Sequence, residues 1–150
     1  MFGDRNFILE DKAGNIIAWA NSLWIYMDLE KGRPTKPSKE DIAKYGVGEP
    51  LDKEFAPRKI DVPTEFVTME PMKVRRYQID TNGHMNNCQY VANALEVLDE
   101  GERFVQMRAE YKKSAVYGDV MIPKVAREED RTVVVLCDED GNEFAVVEFK

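Results

Sequence analysis

The sequence has few cysteines, a single histidine and no long apolar run. Its two cysteines, Cys88 and Cys137, are too few for a disulfide framework, and no spacing of potential ligands resembles a metal site. No apolar segment approaches the ~20 residues that a membrane-spanning helix needs, and the N-terminus lacks the pattern of a signal peptide. These absences predict a reduced, cytoplasmic protein with no metal, no cofactor and no membrane span.

Basic residues are also in the minority. The 150 residues include 21 Lys and Arg against 28 Asp and Glu, which gives a net charge of -7. A general binder of nucleic acid or of anionic membranes would need an excess of positive charge, so the composition argues against both classes. The hydrophobic share of 43% and the charged share of 33% are typical of a soluble globular protein.

The first 37 residues are predicted to form the strands of a partial domain. Residues 7–10 and 16–29 are rich in apolar, aromatic and β-branched side chains, and residues 11–15 between them are typical of a turn. An isolated hairpin is only marginally stable, and an exposed one is prone to aggregation. We therefore expect the chain to form a homodimer or a larger oligomer.

Residues 38–71 are predicted to be a linker with one short helix. Six of the seven prolines lie between residues 30 and 71, where regular structure is disfavoured. Ser38 and Asp41 resemble a capping box, which predicts that a helix of about two turns begins there. Gly46 is predicted to end that helix.

Residues 72–150 show the pattern of an α+β domain. The predicted elements are a strand near residues 72–77, a helix over residues 86–99, and strands at residues 104–111, 116–125, 132–137 and 144–149. Short turns between consecutive strands predict an antiparallel sheet, and one helix must then cover its apolar face.

The predicted helix has a defined apolar stripe. Apolar side chains recur with helical spacing at Val91, Ala94, Leu95 and Leu98. This spacing predicts that Leu95 packs in the core between the helix and the sheet.

Polar residues are densest between residues 80 and 87, at the junction of a strand and the helix. Asp, Asn and Gly are ordinary turn residues and Asn86 is an ordinary helix N-cap, so a structural role alone would explain them. The same groups also suit catalysis. Unpaired N–H groups at a helix N-terminus can hold an oxyanion, and Asp80, Asn82 and His84 can orient and deprotonate a water. Such a set is suited to hydrolysing an activated acyl group.

The polar cluster and three further segments resemble a known family. The string Asp80-x-Asn82-x-His84-x-Asn86-Asn87-x-x-Tyr90, directly before a helix, resembles the signature of hot-dog-fold thioesterases. Residues 22–30 followed by Arg33-Pro34 resemble a segment of the first domain of acyl-acyl-carrier-protein (acyl-ACP) thioesterases. Residues 110–113 and 117–119 resemble parts of their second domain. The matches follow the order of the family along nearly the whole chain.

This resemblance implies a hot-dog fold for residues 72–150, in which an antiparallel sheet wraps around one long central helix. It implies that the N-terminal hairpin is the remnant of a first hot-dog domain whose earlier part the chain lacks. The implied activity is hydrolysis of fatty acyl-ACP thioesters to free fatty acid and ACP, a step of fatty acid biosynthesis. The implied partner is the acyl carrier protein, which presents the acyl group on a phosphopantetheine arm.

The resemblance also implies roles for single residues. Asn82 and His84 match the catalytic asparagine and histidine of the family, and Asp80 matches an aspartate that supports them. A further catalytic glutamate or cysteine is assigned just after the Glu-Tyr-basic-basic stretch, where this chain has Ser114 and Ala115. Neither can act as a carboxylate base or a thiolate, and losing a general base typically costs about 10²–10⁴ in rate. Asp80 could supply the base instead, and Ser114 could still orient a water.

Contacts with the substrate are predicted as well. The candidate substrate-binding residues lie at the helix start and along a tunnel beside the helix for the acyl chain: Asn86, Asn87, Val91, Leu95, Met107 and Tyr111. A set of basic residues could receive an acidic carrier protein, or could be an ordinary solvated strand face: Lys73, Arg75, Arg76, Lys112 and Lys113.

Two other functions fit the same sequence. Ser114 and the missing half-domain favour a non-catalytic module that binds acyl groups or a partner chain without turnover. A hot-dog dimer that hydrolyses acyl-CoA would keep the chemistry and change the carrier. The sequence leaves these alternatives open.

Overall fold

The computed structural model describes residues 2–150. The chain divides into two compact units, Met1–Ala56 and Pro57–Lys150, and each is described by itself. Residues 38–71, predicted as a linker, contribute to both units, because the division falls inside them. Within the described residues, no helix combines the length and the apolar character needed to cross a bilayer.

The first unit is built on an antiparallel hairpin. Strand β1 spans Phe2–Glu10 and strand β2 spans Ile16–Ile25, which confirms the predicted pair of strands, although β1 begins earlier than expected. The carboxylate of Asp11 closes the turn by accepting hydrogen bonds from the N–H groups of Ala13 (2.8 Å) and Asn15 (2.9 Å). The hairpin forms a two-stranded sheet of its own, and its large apolar side chains are exposed.

The rest of the first unit contains the predicted short helix. The elements are β3 (Met27–Asp28), β4 (Arg33–Pro34) and α1 (Lys39–Tyr45). The hydroxyl of Ser38 accepts the N–H of Asp41 (3.0 Å), and the carboxylate of Asp41 accepts the N–H of Ser38 (3.2 Å). This capping box is the predicted one, and Gly46, with a φ of 74°, ends the helix as expected.

The second unit is a six-stranded antiparallel sheet with one longer helix. Its strands are β5 (Val67–Thr68), β6 (Met72–Lys73), β7 (Met107–Tyr111), β8 (Val120–Arg127), β9 (Thr132–Cys137) and β10 (Glu143–Phe149). The strand order is β5-β8-β9-β10-β7, and β6 also pairs with β8. The antiparallel sheet predicted for the C-terminal part of the chain is confirmed, and β9 has the predicted limits.

Four of the predicted strands are shorter than expected: β2 ends at Ile25 rather than at residue 29, β7 begins at Met107 rather than at residue 104, and β6 and β8 are shortened by turns that side chains close. Strand β6 ends early because the side-chain oxygen of Gln78 accepts the N–H of Arg75 (2.8 Å) as the chain enters a 3₁₀ helix, Arg76–Gln78. Strand β8 begins late because the carboxylate of Asp119 accepts the N–H of Val116 (2.9 Å). Both turns lie next to the candidate site.

Helix α2 spans Asn87–Leu95 and is shorter than the predicted 86–99. The chain tightens after Leu95, where the N–H of Leu98 donates to the carbonyl of Leu95 (3.2 Å) in a three-residue turn. The carboxylate of Glu102 then accepts the N–H of Asp99 (3.2 Å). This side-chain hydrogen bond replaces the bond that the Asp99 N–H would make in a continuing helix. The predicted helix was therefore too long by about one turn.

The sheet is covered on both faces. Helix α2 packs on one face, where the buried residues from the helix and the turn after it are Tyr90, Ala94 and Val97. Residues 60–66 cover part of the other face, with Ile60 packed in a cluster with Val133, Val135, Cys137 and Val146. Coverage on two faces explains why every residue of β9 is buried, rather than every second one.

The expectation that Leu95 lies in the core is wrong, because this side chain is 41% exposed. The buried face of the helix follows Tyr90 and Ala94, so the helix is rotated away from the predicted stripe. Leu95→Ala is therefore expected to change the free energy of unfolding by no more than about 0.5 kcal/mol, the usual range for an exposed position.

Urea unfolding measures this prediction, and Leu136→Ala provides a control with the same chemical change. Leu136 is 0% exposed in the main core, so its truncation should cost about 2–5 kcal/mol. A decrease of that size in the free energy of unfolding for Leu95→Ala would contradict this and indicate that Leu95 faces the core, as the sequence predicted.

A buried carboxylate fastens residues 57–61 to the sheet. Glu148 is 1% exposed and accepts hydrogen bonds from Arg108 (2.9 Å) and Arg131 (2.8 Å). Both arginines also donate to backbone carbonyls within residues 57–61. Burial alone would raise the pKa of the Glu148 carboxyl, but the hydrogen bonds from Arg131 and Arg108 outweigh it and hold this pKa below its ordinary value.

Candidate active site

The candidate site is built on a tight turn directly before helix α2. The N–H of Asp80 donates to the carbonyl of His84 (2.8 Å), and the N–H of Gly83 donates to the carbonyl of Asp80 (3.1 Å). Gly83 has a φ of 76°, in the left-handed region where glycine carries no steric penalty. The two residues that flank this turn, Ile79 and Met85, form an isolated antiparallel bridge. The turn is therefore closed at both ends, and its position relative to the helix is set.

The carboxylate of Asp80 organises the turn from inside. Its Oδ1 atom accepts the N–H of Asn82 at 2.8 Å and lies 3.4 Å from the N–H of His84. Asp80 is half-buried, whereas Asn82 and His84 are exposed. These contacts with backbone amides are those of an ordinary aspartate turn, and they leave the side chains of Asn82 and His84 on the surface for other partners.

The start of helix α2 lies immediately after the turn. Asn86 is the N-cap, and its side-chain oxygen accepts the N–H of Cys88 (3.0 Å). The backbone N–H of Asn86 donates to the carbonyl of Gln78 (2.8 Å). The first turn of the helix carries no acidic residue that would neutralise the positive end of its dipole. A helix start of this kind can stabilise negative charge on an oxygen.

Ser114 is brought next to this turn by a backbone hydrogen bond. The N–H of Met85 donates to the carbonyl of Ala115 (2.8 Å), so the residues that follow His84 and Ser114 are bonded to each other. Ala115 is buried, whereas Ser114 is exposed. The structure thus gathers Asp80, Asn82, His84 and Ser114 in one region, although Ser114 is distant from the others in sequence.

Two polar residues that hold the site together had no predicted role. Gln78 is 4% exposed, and its amide donates to the side-chain oxygen of Asn93 (3.2 Å) within α2. Tyr90 is 2% exposed, and its hydroxyl accepts the N–H of Ala115 (2.8 Å). Tyr90 belongs to the motif read from the sequence, but an aromatic residue at helical spacing predicts only packing. The contacts of Gln78 with Asn93 and of Tyr90 with Ala115 join residues too far apart along the chain for a sequence pattern to reveal them.

The acyl-ACP thioesterase C-terminal domain family matches residues 51–147 of the chain. The chain belongs to the acyl-ACP thioesterase family. No curated protein sequence is significantly similar to it.

Two solved structures of acyl-ACP thioesterases resemble this member of the family along 99% of its length. The enzyme from Bacteroides thetaiotaomicron gives a TM-score of 0.82 at 23% identity, and the 12:0-ACP thioesterase from Umbellularia californica gives 0.76 at 20% identity. The likeness confirms the predicted α+β hot-dog fold. The chain spans 62% and 60% of these two proteins, less than two thirds of either.

The candidate acyl-binding residues of α2 and β7 lie on a partly exposed surface. Val91 is half-buried, whereas Leu95, Met107 and Tyr111 are 41–43% exposed. The hydroxyl of Tyr111 donates to the carbonyl of Asn87 (3.2 Å), which joins the end of β7 to the start of the helix. The residues predicted to bind the acyl group thus lie on α2, which follows the turn, and on β7, which Tyr111 joins to the helix start.

The candidate basic residues separate into two groups. Lys112 and Lys113 are ion-paired with Glu143 and Asp138. The remaining three, Lys73, Arg75 and Arg76, are exposed, and the guanidinium of Arg76 lies 4.9 Å from the ring centre of Tyr117. We call residues 73–76 the basic segment. Three residues, 77–79, separate it from the turn of Asp80 and His84.

Metal ligands are not grouped in the part of the chain that the structure describes. Among residues 2–150, no set of three or more histidine, cysteine, aspartate or glutamate side chains is arranged to hold a metal ion.

Proposed function

We propose that this chain hydrolyses fatty acyl-ACP thioesters to free fatty acid and ACP. The observation that carries the proposal is the exposed pair Asn82 and His84, held on a closed turn at the N-terminus of α2 and beside Ser114. Family membership supports the same reaction, since the matched family is named for it. The proposal extends the family's activity to a chain that spans less than two thirds of its solved relatives.

In the proposed reaction, the oxygen of a water attacks the thioester carbonyl carbon. His84 takes a proton from this water, and the Asn82 amide together with the positive end of the α2 dipole stabilises the oxyanion that forms. Collapse of the intermediate breaks the C–S bond and releases the fatty acid. The proton held by His84 passes to the departing sulfur, so the carrier leaves as a thiol.

The remaining side chains of the site have supporting roles. Asp80 shapes the turn through the amides of Asn82 and His84. The Ser114 hydroxyl, which cannot serve as a carboxylate base, orients the attacking water. Because such a base contributes about 10²–10⁴ in rate, turnover slower than that of members with a carboxylate at this position is expected.

The carrier is proposed to be the acyl carrier protein rather than coenzyme A. The support is the basic segment, because its three exposed cations precede the turn by only a few residues in a chain that is otherwise acidic. An acidic carrier protein is attracted to such a surface, and the attraction guides its arm towards His84. Lys112 and Lys113 contribute less, since their charges are already balanced by Glu143 and Asp138.

The test compares hydrolysis of acyl-ACP and of acyl-CoA with the same acyl chain length by the purified chain. The release of free thiol measures the rate of each reaction. Turnover with a higher kcat/KM for acyl-ACP is the expected result. Turnover of acyl-CoA alone would support the acyl-CoA thioesterase instead. No turnover on either carrier would reject catalysis by this chain.

Binding without turnover is a second candidate function, and Ser114 is the observation that favours it. A chain without a carboxylate or thiol at this position could retain the acyl group and lose the reaction. Acyl-ACP that binds the chain and is recovered intact would support this function.

We also propose a cytoplasmic homodimer or larger oligomer. The exposed apolar side chains of the β1–β2 hairpin support self-association, because an apolar surface of this kind is costly in water. A stable monomer at micromolar concentration, measured by light scattering, would contradict it.

A further inference from the structure

The hydroxyl of Tyr90 holds the segment that carries Ser114. It accepts the N–H of Ala115 at 2.8 Å, in a region where Tyr90 is 2% and Ala115 0% exposed. A backbone N–H that is buried this deeply needs an acceptor inside the protein. Tyr90 supplies that acceptor from the second turn of α2, the helix that begins at the candidate site.

The carbonyl group of Ala115 connects the Ser114 segment to the turn that contains His84. The carbonyl of Ala115 accepts the N–H of Met85 at 2.8 Å. The N–H of Ala115 is therefore bonded to the helix and its carbonyl to the turn. Ser114 precedes Ala115, and His84 precedes Met85, so this pair of hydrogen bonds determines where the backbone of Ser114 lies relative to that of His84.

The position of the Tyr90 ring is itself determined by strand β7. The rings of Tyr90 and Tyr111 meet edge to face, with their centres 5.7 Å apart and an angle of 68° between the planes. The Tyr111 hydroxyl donates to the carbonyl of Asn87 (3.2 Å). The two tyrosines thus join three pieces of chain: the helix start, the end of β7 and the Ser114 segment. Burial raises the pKa of Tyr90, so its hydroxyl stays protonated at neutral pH.

We propose that Tyr90 is a positioning residue for catalysis: its hydroxyl places Ser114 opposite His84 through the N–H of Ala115. The proposal rests on the hydrolysis proposed above, in which the Ser114 hydroxyl orients the water that His84 deprotonates. A misplacement of about 1 Å in such an arrangement can cost about 10²-fold in rate. Tyr90 does not contact the substrate, and it acts through the backbone of the Ser114 segment.

Tyr90→Phe removes the hydroxyl and keeps the ring against Tyr111. We expect kcat on acyl-ACP to fall by about tenfold to 10²-fold with KM changed less than about twofold, because the loss acts on the aligned water rather than on substrate binding. Tyr77→Phe is the matched control, since Tyr77 is 78% exposed and has no role in the proposed reaction. The control should leave kcat unchanged.

A double-mutant cycle separates positioning from general destabilisation. If Tyr90 acts through Ser114, then Ser114→Ala lowers kcat in the parent and has little further effect in Tyr90→Phe. Effects that multiply in the double variant would overturn the proposal, as would Ser114→Ala with the kcat of the parent. A parent with no turnover on either carrier rejects the hydrolysis itself, so the two failures are distinguishable.

Amide hydrogen exchange on the parent tests the hydrogen bond without a variant. The Ala115 amide is expected to exchange slowly, at a rate like those of the buried strand β9. Exchange as fast as that of exposed loop amides would show that Tyr90 does not hold this N–H, and it would overturn the proposal even if Tyr90→Phe failed to fold.

Discussion

His84→Ala is expected to lower kcat on acyl-ACP by about 10²–10⁴-fold, because the imidazole is the group that accepts the proton of the attacking water. The side chain is exposed at the surface of the turn, so its removal creates no cavity. The turn should persist, since it is closed by the backbone bond from Asp80 to His84, which alanine retains. Steady-state release of free thiol, with circular dichroism to monitor the fold, measures the effect.

Two further variants of the same turn show whether the effect is specific. Asn82→Ala should lower kcat by about 10²–10³-fold if its amide holds the oxyanion. Thr81→Ala is the control, because Thr81 is exposed in the same turn and has no proposed role. A His84→Ala variant as active as the parent would remove His84 from the mechanism and favour binding without turnover.

Glu148→Ala is expected to destabilise the fold by about 3–5 kcal/mol, the range for breaking a buried ion pair by removing one partner. The two arginines that face Glu148 are only 17–19% exposed and would keep their charges without the carboxylate. Both also hold the backbone of residues 57–61 against the sheet. Loss of the carboxylate should therefore also weaken the attachment of residues 57–61 to the sheet.

Urea unfolding measures this loss, and Glu143→Ala provides the control on the same strand. Glu143 pairs with Lys112 at a partly exposed position, where an ion pair contributes about 0–1 kcal/mol. Equal decreases in the free energy of unfolding of the two variants would show that the buried ion pairs of Glu148 stabilise the fold no more than the exposed pair of Glu143.

The same carboxylate predicts a pH dependence of stability. Because the pKa of Glu148 is lower in the folded chain than its ordinary value of about 4.3, folding favours the ionised form. This stabilisation is complete well above pH 4.3 and is lost as the pH falls through that value towards the lower folded pKa. Glu148→Gln should lack this part of the acid dependence, and an unchanged profile would contradict the assignment.

Elements whose partners lie close in sequence could be predicted from the residues alone. The capping box of Ser38 and Asp41 and the turn in which Asp138 accepts the N–H of Asn142 (2.8 Å) are examples. In both cases the two groups are three or four residues apart, so the chain can satisfy the hydrogen bonds locally. The polar turn before α2 was predicted for the same reason.

The orientation of the helix could not be predicted in this way. The apolar residues of α2 surround more than half of its circumference, so the periodicity allows Leu95 to be buried or exposed. The sheet decides between these orientations, because Tyr90 and Ala94 fit the main core with residues of β8, β9 and β10. Shape complementarity between distant segments is not encoded in the spacing of one helix.

The sequence by itself determined the chemistry of the candidate site, since Asp80, Asn82 and His84 lie on one short turn at a helix start. Tertiary structure alone decided what surrounds them: the Ser114 segment bonded through Ala115, the hydroxyl of Tyr90 and the buried Glu148 beneath residues 57–61. The physical reason is the range of the contacts. A turn forms from neighbouring residues, whereas these bonds join segments that meet only when the sheet has formed and buried groups must find partners inside it.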